Sequence, residues 1–227
     1  MKFRTLLAGV AVAMSLAACQ TAPQNPIALT KENLAAQKGR VGVALRTPPT
    51  DLYLPGANCL LCMGAATIAN SSLNTYSKTL KTEDLAQVRA EIVDLLKKRG
   101  IDAVAIDGQF DFASLADAKL GPNFADKDFA AKYGKDYEHL VVINVQQLGF
   151  VRNYAAYIPT SDAQATVQGF GYMVNLKTNA YEWYTHVQVT RSADGAWDEG
   201  GSFPGLTNAY FQAIEQAKDR VKAPFAQ

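Results

Sequence analysis

Cys59-Leu60-Leu61-Cys62 is the one arrangement whose residue types and spacing could do chemistry by themselves. Two cysteines three apart at a helix start sit where free amides and the helix dipole stabilise a thiolate. In an oxidising compartment the same pair closes as a disulfide. The Leu-Leu insert carries no Pro or Gly to shape a redox loop, no Trp precedes it, and no thioredoxin-type strand leads into it. A structural disulfide, two buried free thiols, and redox or metal exchange remain as alternatives. Zinc would further require His139 and His186. Each stands alone in a strand pattern, so no metal or other cofactor is expected. No nucleophile elbow occurs. Asp102, Asp107, Asp126, Asp128 and Asp136 read as caps and solvated faces. Gly169-Phe170-Gly171 lies inside a strand pattern and is no phosphate loop. Tyr154, Tyr157, Phe170, Tyr172, Tyr181, Trp183 and Tyr184 crowd the later strands. They could line a groove for glycan or peptide, but cross-strand packing is the simpler reading. No catalytic residue emerges, and an enzyme is not expected.

The third cysteine has a different context. Lys2 and Arg4 precede an apolar stretch from Leu6 to Leu16, of signal-peptide length and too short to span a bilayer. It ends in Leu16-Ala17-Ala18-Cys19, which resembles a bacterial lipobox. The resemblance implies cleavage before Cys19, a diacylglycerol on its sulfur and an acylated amine. Several acyl chains anchor stably where one would not. Gln20, where Asp would resemble an inner-membrane retention signal, implies the outer membrane. Residues 1–18 are therefore expected as signal peptide, 19–39 as a lipidated tether with a polar start at Gln20 to Asn25, and 40–227 as one globular domain.

The elements that must position these residues follow from periodicity. Arg40 to Thr47 alternates as a strand, and Pro48-Pro49 ends it. Asn58 to Asn70 is apolar all round and reads as a short buried helix capped by Asn58. Thr82 to Arg99 places Leu85, Val88, Ile92 and Leu95 on one helical face, with Thr82 as cap, Glu83 and Asp84 at the positive end, and Gly100 as stop. Ile101 to Asp107 follows as a strand. Asp111 to Lys119 and Asp126 to Tyr133 read as short helices. Glu138 to Val145 reads as a central strand continuing to Ile158 with a bulge at Gly149. Ala165 to Leu176 and Tyr181 to Arg191 form a hairpin in which Asn179 takes φ > 0. Leu206 to Val221 is an amphipathic helix. The expected fold is α/β (α+β): a single mixed sheet with an antiparallel three-strand portion and helices packed on it.

Three junctions carry a wider resemblance: Leu95-Leu96-Lys97-Lys98-Arg99-Gly100-Ile101, Ala131-Lys132-Tyr133-Gly134-Lys135-Asp136-Tyr137 ahead of Glu138-His139-Leu140-Val141, and the hairpin from Val174 to Trp183. Together they resemble a group of bacterial envelope lipoproteins. The group includes the curli-secretion lipoprotein CsgG, the amino-terminal domain of TolB, and activator lipoproteins of penicillin-binding proteins. The likeness runs from about Glu83 to Val221. The tract Leu52 to Met63 departs from it, and no pore-forming hairpin is evident, so no secretion channel is implied.

Composition sets the outer bounds. The chain has 227 residues, 48% hydrophobic and 19% charged, which suits a folded domain. With 22 Lys plus Arg against 21 Asp plus Glu, no charge excess points to nucleic acid. The expected protein is a periplasm-facing, outer-membrane-anchored lipoprotein, acting as a non-enzymatic accessory or assembly factor of an envelope complex. A homo-oligomer is left open. The alternatives are a periplasmic thiol-active protein using Cys59 and Cys62, and a cell-wall glycan-binding module.

Overall fold

A computed structural model describes residues 23–35, 39–118 and 120–226; the segment expected as a signal, Cys19 and its flank lie outside them. The apolar alternation of the strand sequences has produced one six-stranded mixed sheet. Its path runs β3 (Ala103–Ala105), β1 (Val41–Arg46), β4 (His139–Val151), β7 (Gln164–Asn175) and β8 (Tyr181–Ser192). The short β2 (Asp51–Tyr53) shares the β1 side of β4, further along. β1 is parallel to both β3 and β4, whereas β4, β7 and β8 are antiparallel, so the expected architecture holds. A separate hairpin, β5 (Tyr154–Ala155) and β6 (Ile158–Pro159), follows β4.

Each face of the sheet has its own cover. On one face α5 (Val88–Lys98) and α7 (Pro204–Ala226) bury Val43, Ile143, Met173 and Trp183, with α4 (Glu83–Ala86) alongside. On the other, an irregular stretch carrying Phe110, Leu115 and Phe129, with α6 (Ala130–Tyr133), covers Leu140, Val142 and Tyr172. That second cover spans only half the sheet.

Local chemistry explains the junctions. α5 ends with Gly100 at φ +76°. The Gly100 amide donates to the Lys97 carbonyl and the Ile101 amide to that of Leu96, the paired bonds of a glycine C-cap. Asn179 turns the β7–β8 hairpin at φ +60°, and its Nδ2 donates to the carbonyls of Ala125 and Lys127, tying the irregular cover to the turn. Gly171 is needed for another reason. A Cβ there would meet the Trp183 ring at 2.6 Å, so the indole lies directly on the glycine backbone.

Several expectations need correction. The helix expected over Thr82 to Arg99 breaks at Gln87, Thr82 makes no side-chain cap, and Leu96, not Leu95, is the residue with 0% exposure. Only three residues of the strand expected after Ile101 pair, and the described part of Asp111 to Lys119 is not helical. The β4 bulge falls between Val145 and Gln147; Gly149, at φ +134°, instead lets β2 approach. The stretch expected as tether is partly folded. Ile27 pairs with Tyr184, while Leu29 and Leu34 are 5% and 2% exposed, the latter on α1 (Lys31–Ala35).

Candidate functional site

Cys59 and Cys62 are joined as a disulfide, with Cα atoms 4.9 Å apart, at the start of α2 (Leu60–Ala69). Cys59, not Asn58, is the N-cap: its backbone is extended, and its Sγ accepts from the Cys62 amide at 2.9 Å. Cys62 is buried with Ala57, Ala66 and Tyr154, so the bridge presses a stripe of small residues against the base of the β5–β6 hairpin. At the other end of α2, Asn70 donates to the Tyr154 hydroxyl at 2.6 Å and accepts from Arg152 at 2.8 Å. Arg152 also lies 4.6 Å from the Trp197 ring centroid. Cys62 is thus packed into the domain, while Cys59 stays exposed.

The expectation of a buried α2 is overturned. Leu60, Leu61 and Ile68 are 90%, 84% and 77% exposed, and Met63 is also outward. Only Cys62 and Ala66 of the helix are buried. The stripe of α2 that meets the domain carries small side chains alone.

Beside α2 an open groove of about 780 Å³ runs over the uncovered half of the sheet. The β4 bulge creates its floor. After it, Val145 and Leu148 both face the helices, and Gln147 turns to the open face. Register then aligns Gln147 with Gln168 and Gln168 with Gln188, a row of amides across β4, β7 and β8. Gln168 and Gln164 join Gln147 in the groove, with Asn153, Thr190 and, from α3 (Ser71–Ser77), Asn74. Asp51 and Lys78 are its charged members, and Tyr53 and Met63 its larger apolar ones. The Tyr53 hydroxyl accepts from the Leu148 amide at 3.2 Å. Burial, reinforced by the Asp51 charge, raises its pKa despite that bond, so it is a neutral phenol at neutral pH. The arrangement can hold an uncharged ligand by many hydrogen bonds.

The other residues singled out by sequence do not converge. Five residue steps along β7 separate the level of His139, opposite Asn175, from that of His186, opposite Phe170. That is about 16 Å, too far for a shared ion. His139 pairs with Glu182 at 2.8 Å; His186 meets the Gln24 carbonyl at 3.2 Å. Phe170, Tyr172, Tyr181 and Tyr184 stack among themselves under the irregular cover, while Trp183 packs edge-on to Phe225 on the opposite face. Burial, then the Asp126 charge, pushes the Tyr184 hydroxyl up to about 12. The tyrosine–phenylalanine group is thus cross-strand packing. Sequence reasoning missed the groove, although Gln164, Gln168 and Gln188 at even spacing did mark one polar strand face.

Among the described residues no helix is long and apolar enough to cross a membrane. No protein-family model matches the chain, and no curated protein does. Solved structures do match, loosely. PelC from Paraburkholderia phytofirmans, solved as a dodecamer, is 9% identical, with 82% of this chain and 86% of that one covered and a TM-score of 0.29. Lipoprotein GNA1162 from Neisseria meningitidis is 15% identical, with 78% and 98% covered and a TM-score of 0.28. A neuraminyllactose-binding hemagglutinin homolog from Helicobacter pylori is 9% identical, with 92% of each chain covered and a TM-score of 0.33. Superpositions this loose say nothing of this chain's task.

Proposed function

We propose that this chain is a lipid-anchored envelope protein, facing the periplasm from the outer membrane, and that it works by binding, as an accessory or assembly factor, without catalysis. The Leu16-Ala17-Ala18-Cys19 pattern supports the location. The amide-floored groove carries the binding role. Its Gln147, Gln164 and Gln168 side chains bind by hydrogen bonding and do not titrate. Self-association belongs to the same reading. A glycan is the second reading for the groove, because a hydroxyl-rich, uncharged chain matches a row of uncharged amides. The thiol-active reading ranks third: Cys62 packs against Ala66 and Tyr154, and exposed Cys59 is the cysteine it would use.

Two experiments test this. Cys19→Ser should release the protein from the outer membrane or mislocalise it; a variant that stays membrane-bound and acylated would remove the anchor. A photo-crosslinking residue at Gln168 should trap an adduct in intact cells that one at exposed Asp94 does not. A protein adduct supports the assembly role and a glycan adduct the second reading. Identical labelling from both positions would refute a binding groove.

A further inference from the structure

We infer that a cleft at the carboxyl end of β1 binds the carboxylate of an acidic saccharide whose hydroxyl-bearing part lies in the amide groove. The inference rests on the glycan reading of that groove. The sheet itself opens the cleft. β1 and β2 lie on the same side of β4, yet β1 pairs with it only as far as Asn144 and β2 only from Gly149. Between them the chain leaves the sheet through Thr47-Pro48-Pro49-Thr50. The two prolines have no amide hydrogen and cannot continue the ladder. Beyond β2 the chain crosses to β3 on the far side of β1, whereas β4 leads the other way, to β7. Where neighbouring strands send their exits in opposite directions, a crevice forms beyond their carboxyl ends, and such crevices hold ligands. Here it measures about 840 Å³.

Its charges are not balanced from within. Arg46 ends β1 half-buried, its Nη1 3.4 Å from Asn144 Oδ1 and its guanidinium 6.0 Å from the Phe112 ring centroid. Lys78 is exposed on the same cleft. Neither forms an ion pair with a described residue. Asp51 is the one carboxylate among the lining residues, and its Oδ1 accepts from the Leu52 amide at 2.9 Å. Two cations against one carboxylate leave a single positive charge, which suits a monoanion. A guanidinium meets a carboxylate with two parallel hydrogen bonds. Gln109 accepts from the Thr47 amide at 3.0 Å through Oε1, which leaves its own N–H donors for a ligand oxygen. Asp51 and Lys78 line the groove as well as the cleft, so the two form one trough, with amides at one end and charge at the other. β7, which carries Gln164 and Gln168, is paired on both sides and offers no edge to a peptide strand. A ligand there meets side chains and not main chain, as a saccharide does.

The test uses the full mature chain in non-ionic detergent, titrated with trigalacturonic acid and with its methyl ester, which keeps the free hydroxyls and lacks the charge. The acid should bind about tenfold more tightly than the ester. Arg46→Gln and Lys78→Gln should each cut that preference severalfold and leave the ester's affinity unchanged, while Gln168→Ala should weaken both sugars alike. Lys78 is exposed, so its variant serves even where Arg46→Gln disturbs the strand end. If neither sugar binds, the glycan reading fails and the cleft assignment with it. If acid and ester bind equally, the carboxylate site is refuted and the glycan groove stands. A preference for the acid that survives both substitutions would also refute it. Tighter binding of a polyglutamate peptide than of either sugar would overturn it in favour of a protein partner.

Discussion

Leu96→Ala and Leu95→Ala, two adjacent truncations of identical chemistry, should differ severalfold in cost. Leu96 is 0% exposed and belongs to the main core, where α5 lies against β1, β3 and α7. Leu95 only borders that core. Successive helical residues are rotated by about 100°, so the two cannot share one environment. Removing three carbons from Leu96 loses their transfer energy and leaves a cavity. Hydrogen-bonded strands on one side and a long helix on the other limit collapse, which places the cost at about 3–5 kcal/mol. Leu95, half in water already, should lose about 1 kcal/mol. In a chain of this size each kcal/mol shifts the melting temperature by about 2–4 °C. Leu96→Ala should therefore lower it by about 6–20 °C and Leu95→Ala by about 2–4 °C. Thermal melts followed by circular dichroism, with urea titrations to check that the m-value is unchanged, would measure both. Equal losses, or the reverse order, would mean that α5 is rotated relative to the core and that the packing described above is wrong.

The ion cluster between α5 and α7 gives a pH prediction. Lys218, only 3% exposed, contacts Glu91 at 2.8 Å and Glu215 at 2.9 Å, and Lys222 also reaches Glu91. Burial works against the Glu91 charge, but hydrogen bonds and charge from Lys218 and Lys222 outweigh it and hold its pKa below the ordinary 4.5. A lowered carboxylate contributes stability above its unfolded pKa and loses it as pH falls through the folded one. Glu91→Gln should thus cost about 1.5–3 kcal/mol at pH 7, a gap that closes as the pH falls below 4.5 in chemical-denaturation curves. A gap that persists in acid would show that size, not charge, matters there. The disulfide gives the last prediction. Denatured mature protein should react with a thiol reagent only after reduction, because the proposed lipidation places the Cys19 sulfur in a thioether. The loop from Cys59 to Cys62 is so short that reduction should remove no more than about 2 kcal/mol. Two reactive thiols before reduction would refute the bridge.

Much of the architecture was legible because periodicity is local information. Alternation over Ala165 to Leu176 and Tyr181 to Arg191, with Asn179 between, specifies a hairpin. Apolar residues on both faces of Leu140 to Ile143 specify a central strand. Gly100 specifies a helix stop. In each case a few neighbouring residues hold the physical cause. The lipobox-like run Leu16-Ala17-Ala18-Cys19 is likewise a linear pattern, and it lies outside the described residues. Expectation and structure part where the deciding partner is distant. The apolar content of Asn58 to Asn70 reads as burial. Whether it is buried depends on what lies opposite, and the surface around Ala57 and Tyr154 receives Cys62 and Ala66 while Leu60 and Leu61 face outward. Leu95 and Leu96 both fit a helical stripe, and only the seating of α5 beside α7 assigns one of them to the core. Ile27, Leu29 and Leu34 lie in a stretch with too little pattern to signal a folded segment, and they are ordered by the β8 edge and the core they meet. The groove is the clearest case. Gln147 and Gln168 are far apart in sequence, and one extra residue at the β4 bulge brings them side by side. In an unbulged strand Gln146 would stand opposite Gln168 and Gln147 would face the helices. Sequence alone determined the long elements, the central strand, the β7–β8 hairpin and the last helix, because their periodicity is local; tertiary packing decided the short elements and which apolar surfaces were covered, because coverage belongs to a pair of surfaces and not to either one.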